Sequence, residues 1–465
     1  MPNEKDEHKA LHRALDHAID YIDSLDERQI PTSVGTAELR KRIGRDLGEQ
    51  GVSPEQVIDE LAADVEGGLF TTGGGRFFGW AIGGVLPAAL AADWLTAAWD
   101  QNSAIHATSP ALAVMEEVTG AWLKDVLRLP RDASFAFVTG CQSAHVTALA
   151  AARQKLLRDR GYDVGAHGLS GAPQITIRTG ELCHESIARA ARLLGLGTNS
   201  VETHPCHEDG RLDLDHVALS LDDSPTILVL QAGEFNTGAF DDFHRAHELA
   251  REYGVWVHVD GALGLWAAAS DKYRHLMDGC ELLDSWATDG HKWLNLPFDS
   301  GFVFTAHPEA HKEAMTVRAS YFSASDDVRH QIDWGPEWSR RGRGVAVYAA
   351  LRSLGRSGLA QLIERCCEHT ERLVEGIGAL EGAEVLATPV INQGLVRFTS
   401  DDDADGDHDR RTDEVIERLQ KSGVTWFGGS DWKGRRVMRV PVLSWRTTEE
   451  DIDMTIEAVR KAIEF

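Results

Sequence analysis

Residues 284–301 read Asp-Ser-Trp-Ala-Thr-Asp-Gly-His-Lys-Trp-Leu-Asn-Leu-Pro-Phe-Asp-Ser-Gly and give the strongest single indication of the fold. Lys292 stands at the centre of this stretch, next to His291. Asp260 lies 32 residues before the lysine, where the apolar run of residues 255–259 ends. A lysine amine and a carboxylate at the end of a buried strand predict a nucleophile and an acid within one site.

Pyridoxal phosphate is a cofactor that requires such a pair. A lysine forms a Schiff base with its aldehyde, and an aspartate keeps the pyridine nitrogen protonated so that the ring can accept electrons. We therefore predict a pyridoxal phosphate site in which Lys292 and Asp260 take these two roles.

Short apolar runs alternate with helical patterns through the middle of the chain. Strands are predicted at residues 135–138, 175–177, 226–230, 255–259, 285–287 and 301–304. Nearly continuous apolar strands between helices indicate an α/β fold, with a mostly parallel sheet covered on both faces. Ligands of such sheets bind beyond the carboxyl ends of the strands. Cys141, Asp260 and Lys292 all follow strands at that edge.

Three regions are predicted along the chain. Residues 1–75 carry two helical patterns, at about residues 7–25 and 53–65, the second with Ser53 as its N-cap and Pro54 in its first turn. Residues 76–345 form the large α/β domain, and residues 346–465 form a smaller α+β domain. Phe77, Phe78 and Trp80 follow a glycine-rich turn and are interpreted as a pocket wall, the alternative being an ordinary loop.

Composition and charge exclude several classes of partner. The chain has 465 residues, of which 43% are hydrophobic and 26% charged, which is typical of globular proteins. A net charge of −26 argues against nucleic acid and anionic membrane surfaces as partners. The sequence contains no run of about 18 apolar residues, so no membrane span is predicted. Six cysteines and a polar N-terminus lead us to expect a cytoplasmic protein without a disulfide framework.

A small-residue turn follows the first predicted strand of the large domain. It reads Thr-Gly-Cys-Gln-Ser-Ala-His over residues 139–145 and opens a helix that is predicted to reach residue 157. A strand, a turn and a helix in this order present free backbone N–H groups to a phosphate. The turn lacks the multiple glycines of a Rossmann or Walker loop, which disfavours those two sites.

No metal site is predicted. His244 and His247 are three residues apart on a helix, but no third ligand accompanies them. The acidic stretch of residues 401–409 matches the first half of a calcium loop, yet Thr412 stands where the bidentate Glu belongs. A solvated acidic loop is the favoured interpretation of this stretch.

Taken together, these motifs resemble the pyridoxal-phosphate-dependent group II amino-acid decarboxylases of the aspartate aminotransferase fold, fold type I. The resemblance is strongest in His-Lys-Trp at residues 291–293 and Val-Asp-Gly-Ala at residues 259–262, at their observed spacing. It implies a seven-stranded, mostly parallel sheet in the large domain and a homodimer with the site at the subunit interface. It also implies decarboxylation of an L-amino acid to an amine and carbon dioxide.

The resemblance further implies roles around the cofactor ring. Lys292 would carry the cofactor and later move a proton, while Asp260 would pair with the pyridinium nitrogen. Ala262 would pack against one face of the ring, and His184 would stack on the other, near the substrate carboxylate.

The resemblance implies contacts to the cofactor for five more residues, some of which depart from the usual pattern of the family. Cys141 and Gln142 would meet the phosphate through the turn, although the family usually has a small residue and a hydroxyl there. His291 would reach the phosphate from the side, and Asp289 occupies the place of a site residue. Asn236 is our substitute for the threonines that usually contact the ring hydroxyl.

Tyr321 bears on the type of reaction. Its neighbourhood resembles the catalytic loop of the family, whose tyrosine helps to return a proton to the substrate carbon after carbon dioxide leaves. A phenylalanine at that point marks relatives that oxidise the amine to an aldehyde, so Tyr321 favours simple decarboxylation.

Two classes of alternative remain open. An aminotransferase, a lyase or an aldehyde-forming oxidative decarboxylase would keep the fold and the cofactor. A non-catalytic binding protein of the same fold is disfavoured by an intact Lys292 and Asp260. The aromatic residues at positions 77, 78 and 80 slightly favour an aromatic or other apolar amino acid as substrate.

Overall fold

The chain begins with a helical segment. The computed structural model describes residues 4–317, 328–399 and 407–464. The first helices are α1 Glu4–Asp23, α2 Thr36–Ile43 and α3 Pro54–Val65. The Ser53 hydroxyl accepts a hydrogen bond from the backbone N–H of Gln56 at 3.3 Å, with Pro54 in the first turn. Ser53 is therefore the predicted N-cap of α3.

A short strand then joins this segment to the C-terminal part of the chain. The next elements are β1 Phe77–Phe78, α4 Pro87–Trp99 and α5 Pro110–Val126. β1 pairs in parallel with residues 426–427. The Phe77 ring stacks on Trp426 at 5.3 Å and the Phe78 ring on Phe427 at 5.0 Å, and both phenylalanines are buried. The interpretation of these two phenylalanines as a pocket wall is therefore wrong, because they join the N-terminal segment to the C-terminal part of the chain.

The large domain is built around one seven-stranded sheet. Its strands are β2 Ser134–Val138, β3 Thr176–Gly180, β4 Val201–His204, β5 Thr226–Gln231, β6 Trp256–Asp260, β7 Ser285–Asp289 and β8 Gly301–Thr305. Its helices are α6 Cys141–Arg158, α7 Val164–His167, α8 Ser186–Leu193, α9 Leu214–Ala218, α10 Phe243–Tyr253 and α11 Pro308–Met315. The order across the sheet is β2-β8-β7-β6-β5-β3-β4. Among the described strands of this sheet, β8 is antiparallel to both β2 and β7, and the other pairs are parallel, which confirms the predicted mostly parallel sheet.

Strand register brings the predicted site residues to one edge. β6 and β7 run in parallel with Asp260 opposite Ala287, and β5 and β6 pair with Gln231 opposite Asp260. β5, β6 and β7 are buried along their whole length, so both faces of the sheet are covered. The carboxyl ends of these strands therefore open together at one side of the domain.

The C-terminal part is α+β, as predicted. It contains α12 Gly344–Gly378, β9 Ala383–Ala387, β10 Leu395–Phe398, α13 His408–Ser422, β11 Trp426–Phe427, β12 Gly429–Trp432, β13 Arg435–Arg439 and α14 Glu449–Ile463. Four strands form an antiparallel sheet in the order β12-β13-β10-β9. α12 is interrupted at Gly355, whose φ of 61° and ψ of −177° suit only glycine. We propose domain boundaries after residues 75 and 345, the second within the first turn of α12, which leads into the part that carries this second sheet.

Two predicted features lie outside the described residues. One is Tyr321, and the other is most of the acidic stretch, residues 401–406. Among the described residues, no helix combines the length and the hydrophobicity needed to cross a membrane.

Candidate active site

A cavity of about 380 Å³ lies at the carboxyl ends of the central strands. It is lined by Thr139, Gly140, Cys141, Gln142, His145, His184, Ser186, Gln231, Gly233, Phe235, Asp260, Ala262, Leu263, Asp289, His291 and Lys292. Most of the site residues predicted from the sequence are therefore brought together in one space.

Lys292 is held by a buried carboxylate. Its Nζ lies 3.2 Å from Oδ2 of Asp289, the last residue of β7. The other carboxylate oxygen of Asp289 accepts a hydrogen bond of 2.7 Å from the backbone N–H of Cys141. Burial lowers the pKa of Lys292, but the charges of Asp289 and Asp260 outweigh burial and leave this pKa above its usual value. The amine is thus an ammonium ion at neutral pH.

Asp260 is also buried and ionised. Its Oδ1 accepts a hydrogen bond from the backbone N–H of Ala262 at 3.1 Å, and its Oδ2 lies 3.5 Å from Nε2 of His145. Burial raises the pKa of Asp260, but attraction to His145 and Lys292 outweighs burial, so the pKa lies below its usual value. A carboxylate in this state could pair with a protonated ring nitrogen.

His291 approaches the helical turn from the side. Its Nδ1 accepts a hydrogen bond from the backbone N–H of Ser300 at 3.2 Å, and burial lowers its pKa. A neutral ring that accepts at Nδ1 carries its proton on Nε2, which lies 3.6 Å from Asp289. A Cβ atom on Gly140 would come within 3.0 Å of the His291 ring, so glycine permits this close approach.

The first turn of α6 offers backbone donors. α6 begins at Cys141, whose backbone N–H is bonded to Asp289, and its N-cap residue Gly140 supplies no side-chain hydrogen bond to the N–H groups that follow. The first N–H groups of a helix lack partners within the helix and favour an anion. The amide of Gln142 donates to the carbonyl of Ser186 at 3.2 Å, which ties this turn to the start of α8.

His184 is exposed at the mouth of the cavity. Its Nδ1 accepts a hydrogen bond from the backbone N–H of Ser186 at 3.2 Å and lies 2.9 Å from the Ser186 hydroxyl. Its ring stands edge-on to the Phe235 ring, with centroids 6.2 Å apart. Nε2 is left to face the cavity or solvent.

Asn236 is placed differently from the expectation. Its amide nitrogen donates to Glu234 at 2.9 Å, and its amide oxygen accepts from the Ser430 hydroxyl at 2.8 Å. Asn236 is not among the described residues that line the cavity, so its expected contact with the ring hydroxyl is not supported. Gln231, the last residue of β5, lines the cavity from this side.

Several lining residues were not among the predicted site residues, Gln231, His145 and Phe235 among them. Gln231 follows the apolar run of β5 just as Asp260 follows that of β6, a signal that could have revealed it. His145 lies one helical turn after Cys141 and so faces the same side of α6. Phe235 gives no comparable signal, because its position depends on a loop.

The donor set fits pyridoxal phosphate. The cavity presents an amine for the aldehyde at Lys292, a carboxylate for the ring nitrogen at Asp260 and a helix N-terminus for the phosphate at α6. These three groups belong to separate elements and converge only in the folded chain.

Comparison with known proteins agrees with this donor set. The model of the pyridoxal-dependent decarboxylase conserved domain matches residues 38–400. An aromatic-L-amino-acid decarboxylase from Bacillus atrophaeus is 23% identical over 97% of this chain and 95% of the relative. A cysteine sulfinic acid decarboxylase from Mus musculus is 28% identical over 76% of this chain and 72% of the relative.

A solved structure shares the fold. The crystal structure of Oryza sativa TDC with PLP and tryptamine superimposes with a TM-score of 0.92 and 22% identity. The match covers 99% of this chain and 98% of that one. The chain therefore belongs to the pyridoxal-dependent decarboxylase family and is a pyridoxal-phosphate-dependent amino-acid decarboxylase.

Proposed function

We propose that this enzyme converts an aromatic L-amino acid to the corresponding amine and carbon dioxide. The observation that carries the proposal is the convergence of the Lys292 amine and the Asp260 carboxylate in one cavity. When bound there, pyridoxal phosphate supplies an aldehyde that condenses with amines and a ring that accepts electrons.

Each residue of the cavity has a task in this proposal. Lys292 would hold the cofactor covalently until the substrate amine takes its place, and Asp260 would keep the ring nitrogen protonated. The N-terminus of α6 and Nε2 of His291 bind the phosphate. His184 and Ala262 would hold the ring between them and so fix the direction of the bond that breaks.

The mouth of the cavity supports an aromatic substrate. Phe235 presents its ring beside His184, and Leu263 adds an apolar side chain to the same lining. An aromatic substrate ring can pack edge-on against the Phe235 ring. The relative named above as an aromatic-L-amino-acid decarboxylase supports the same class.

An acidic amino acid such as cysteine sulfinate is a second candidate. The guanidinium of Arg439 lies 5.2 Å from the Phe235 ring, and its Nε has no hydrogen-bond partner in the described part of the chain. Burial lowers the pKa of Arg439 to about 10, so it remains a cation at neutral pH. The charge of nearby Glu234 opposes this candidate, because it already compensates Arg439.

A substrate panel tests the proposal. We expect the holoenzyme to release carbon dioxide and amine from tryptophan, tyrosine or phenylalanine, with kcat/KM well above the values for cysteine sulfinate, glutamate and 2,4-diaminobutyrate. Activity confined to the acidic substrates would favour the second candidate. Transfer of the amino group to a keto acid without carbon dioxide release would contradict both.

The product should depend on Tyr321, which we propose as the residue that returns a proton to the substrate carbon. We expect Tyr321→Phe to divert most of the product from amine to aldehyde and ammonia, with dissolved oxygen as the oxidant that is reduced to peroxide, because the phenol proton is lost. Amine, aldehyde, ammonia and peroxide are measured together with the best substrate. Unchanged amine output from Tyr321→Phe would remove this residue from the reaction. Tyr162→Phe is the matched control, since its hydroxyl bonds the Ser170 carbonyl away from the cavity.

Formation of the covalent link to the cofactor should depend on pH. The attacking amine must be neutral, and Asp289 is the foremost cause of the raised pKa of Lys292. Asp289→Asn removes this charge, lowers the pKa of the lysine and increases the neutral fraction below that pKa. Each unit of this shift raises the rate about tenfold at a fixed lower pH.

The measurement is stopped-flow absorbance of the apoenzyme mixed with pyridoxal phosphate between pH 6 and 9. Asp299→Asn is the control, because Asp299 lies in the loop that follows β7 but pairs with Arg343 at 2.8 Å. A shift of the rate profile to higher pH in Asp289→Asn would contradict the proposed interaction between Asp289 and Lys292.

We also propose a homodimer. α1 exposes Leu11, Leu15 and Ile19, and a surface groove is lined by the apolar side chains of α5 together with Tyr348. Apolar surface of this extent is typical of an interface. Sedimentation equilibrium should give about twice the 51.0 kDa of one chain, and a monomer at micromolar concentration would contradict the proposal.

A further inference from the structure

Two fully buried histidines lie in line behind Asp260. His145 on α6 places its Nε2 3.5 Å from Oδ2 of Asp260 and its Nδ1 2.9 Å from Nε2 of His258 on β6. Nδ1 of His258 lies 2.9 Å from the hydroxyl oxygen of Ser285 on β7. That oxygen also accepts a 2.9 Å hydrogen bond from the indole of Trp256. We call these four side chains behind Asp260 the histidine relay.

The Asp260 carboxylate sets the direction of the protons in the relay. A carboxylate only accepts, so His145 carries a proton on Nε2, facing Asp260 at 3.5 Å. In a neutral His145, Nδ1 is then free to accept a hydrogen bond from Nε2 of His258. His258 presents its other nitrogen to the Ser285 hydroxyl, whose oxygen also accepts from the Trp256 indole.

The surroundings of the two rings favour this arrangement. Burial lowers the pKa of His258 to about 3, so His258 is neutral at physiological pH. Nε2 of His145 makes no standard hydrogen bond in the described part of the chain. Because a buried N–H is costly without an acceptor, the Asp260 carboxylate at 3.5 Å is the acceptor that this proton requires.

We propose that His145 and His258 are positioning residues that hold Asp260 ionised and turned toward the ring nitrogen of pyridoxal phosphate. They act through Asp260 and do not touch the reacting atoms of the substrate. The inference rests on the proposed role of Asp260 in the site. It adds two residues to that site that the sequence motifs did not assign to it.

A metal ion is the competing explanation for this cluster. Ligand atoms of Cys141, His145 and Asp260 all lie within 4.8 Å of one another. Burial raises the pKa of the Cys141 thiol well above its usual value, which keeps the sulfur protonated and a poor ligand. Nδ1 of His145 is already bonded to His258, so its one remaining nitrogen is shared with Asp260.

The test measures the protonation of the ring nitrogen directly. The holoenzyme and its variants are loaded with pyridoxal phosphate labelled with ¹⁵N in the ring, and the ¹⁵N chemical shift is followed against pH. We expect His145→Leu and His258→Leu to lower the pH at which the nitrogen loses its proton by about one unit or more, a tenfold loss of proton affinity. His145→Gln should retain most of the proton affinity of the ring nitrogen, because the glutamine amide can still donate toward Asp260.

A matched control separates this effect from the loss of any buried histidine. His311 is also fully buried and bonds Ser134 and the carbonyl of Trp334, and burial lowers its pKa to about 3 as well. His311→Leu should leave the ring nitrogen unchanged. Cofactor dissociation constants and thermal melting are measured for every variant, and a His145→Leu chain that fails to fold leaves His258→Leu and His145→Gln to decide.

The outcomes distinguish the relay from the proposed function. If Asp260→Ala deprotonates the ring nitrogen while both leucine variants match the unmodified enzyme, the relay is wrong and the site stands. If Asp260→Ala also leaves the nitrogen unchanged, the proposed role of Asp260 fails. One equivalent of metal that is lost in His145→Leu, measured by elemental analysis, would overturn the relay in favour of a metal site.

Discussion

Replacement of Lys292 by alanine should abolish the covalent link to pyridoxal phosphate and lower kcat by about 10⁴-fold or more, the order of loss seen when an enzyme loses its nucleophile. The reason for the loss is chemical. Among the described residues that line the cavity, Lys292 is the one whose side chain carries an amine. Treatment with borohydride followed by intact-mass measurement should add the cofactor mass to the unmodified chain and nothing to Lys292→Ala.

The appropriate control is Lys312→Ala on α11. Lys312 is half exposed and pairs with Asp333 at 3.7 Å, outside the cavity. This variant should keep the reducible link and the activity. A Lys292→Ala chain that still carries a reducible cofactor would show that another amine is the nucleophile, and the proposed site would have to be rebuilt around it.

Much of the fold follows from the apolar runs of the sequence. The strands β5, β6 and β7 are buried on both faces, so their sequences are nearly continuous apolar runs that are easily recognised. Because parallel strands end at one edge, the polar residues after these runs had to meet there. For this reason the order and spacing of residues along the chain are enough to assign Asp260 and Lys292 to one site.

The interpretation of Phe77 failed because the relevant contact is not local. β1 has two residues, and its partner strand lies at residues 426–427, so no periodicity marks the pairing. Aromatic residues beside glycines look alike whether they line a cavity or join two parts of a chain. Three-dimensional pairing separates the two cases, and here the stacking of Phe77 on Trp426 does so.

The histidine relay was missed for a related reason. His145 and His258 are 113 residues apart and sit on different elements, α6 and β6. Each alone is an ordinary buried histidine, and the sequence carries no sign that they meet. The site could therefore be located from the chain, but the groups behind Asp260 could not.

Asp260→Asn should separate cofactor attachment from cofactor function. Removing one partner of a buried charge pair costs about 3–5 kcal/mol, which corresponds to a loss of about 10²–10⁴-fold in rate. We expect this loss in kcat with little change in KM, because Asp260 faces the ring nitrogen in our proposal and not the substrate. The link through Lys292 should persist, so borohydride should still trap the cofactor.

Asp284→Asn controls for the loss of a carboxylate beside the same strands. Asp284 precedes β7 at the end opposite the cavity, where it accepts a 2.7 Å hydrogen bond from the backbone N–H of Val257. Its replacement should affect thermal stability more than kcat. Equal losses of kcat in the two variants would mean that Asp260 supports the fold and not the ring nitrogen. A loss confined to Asp260→Asn, with the cofactor still attached, requires the carboxylate to act on electron flow into the ring, since attachment and folding would both be intact.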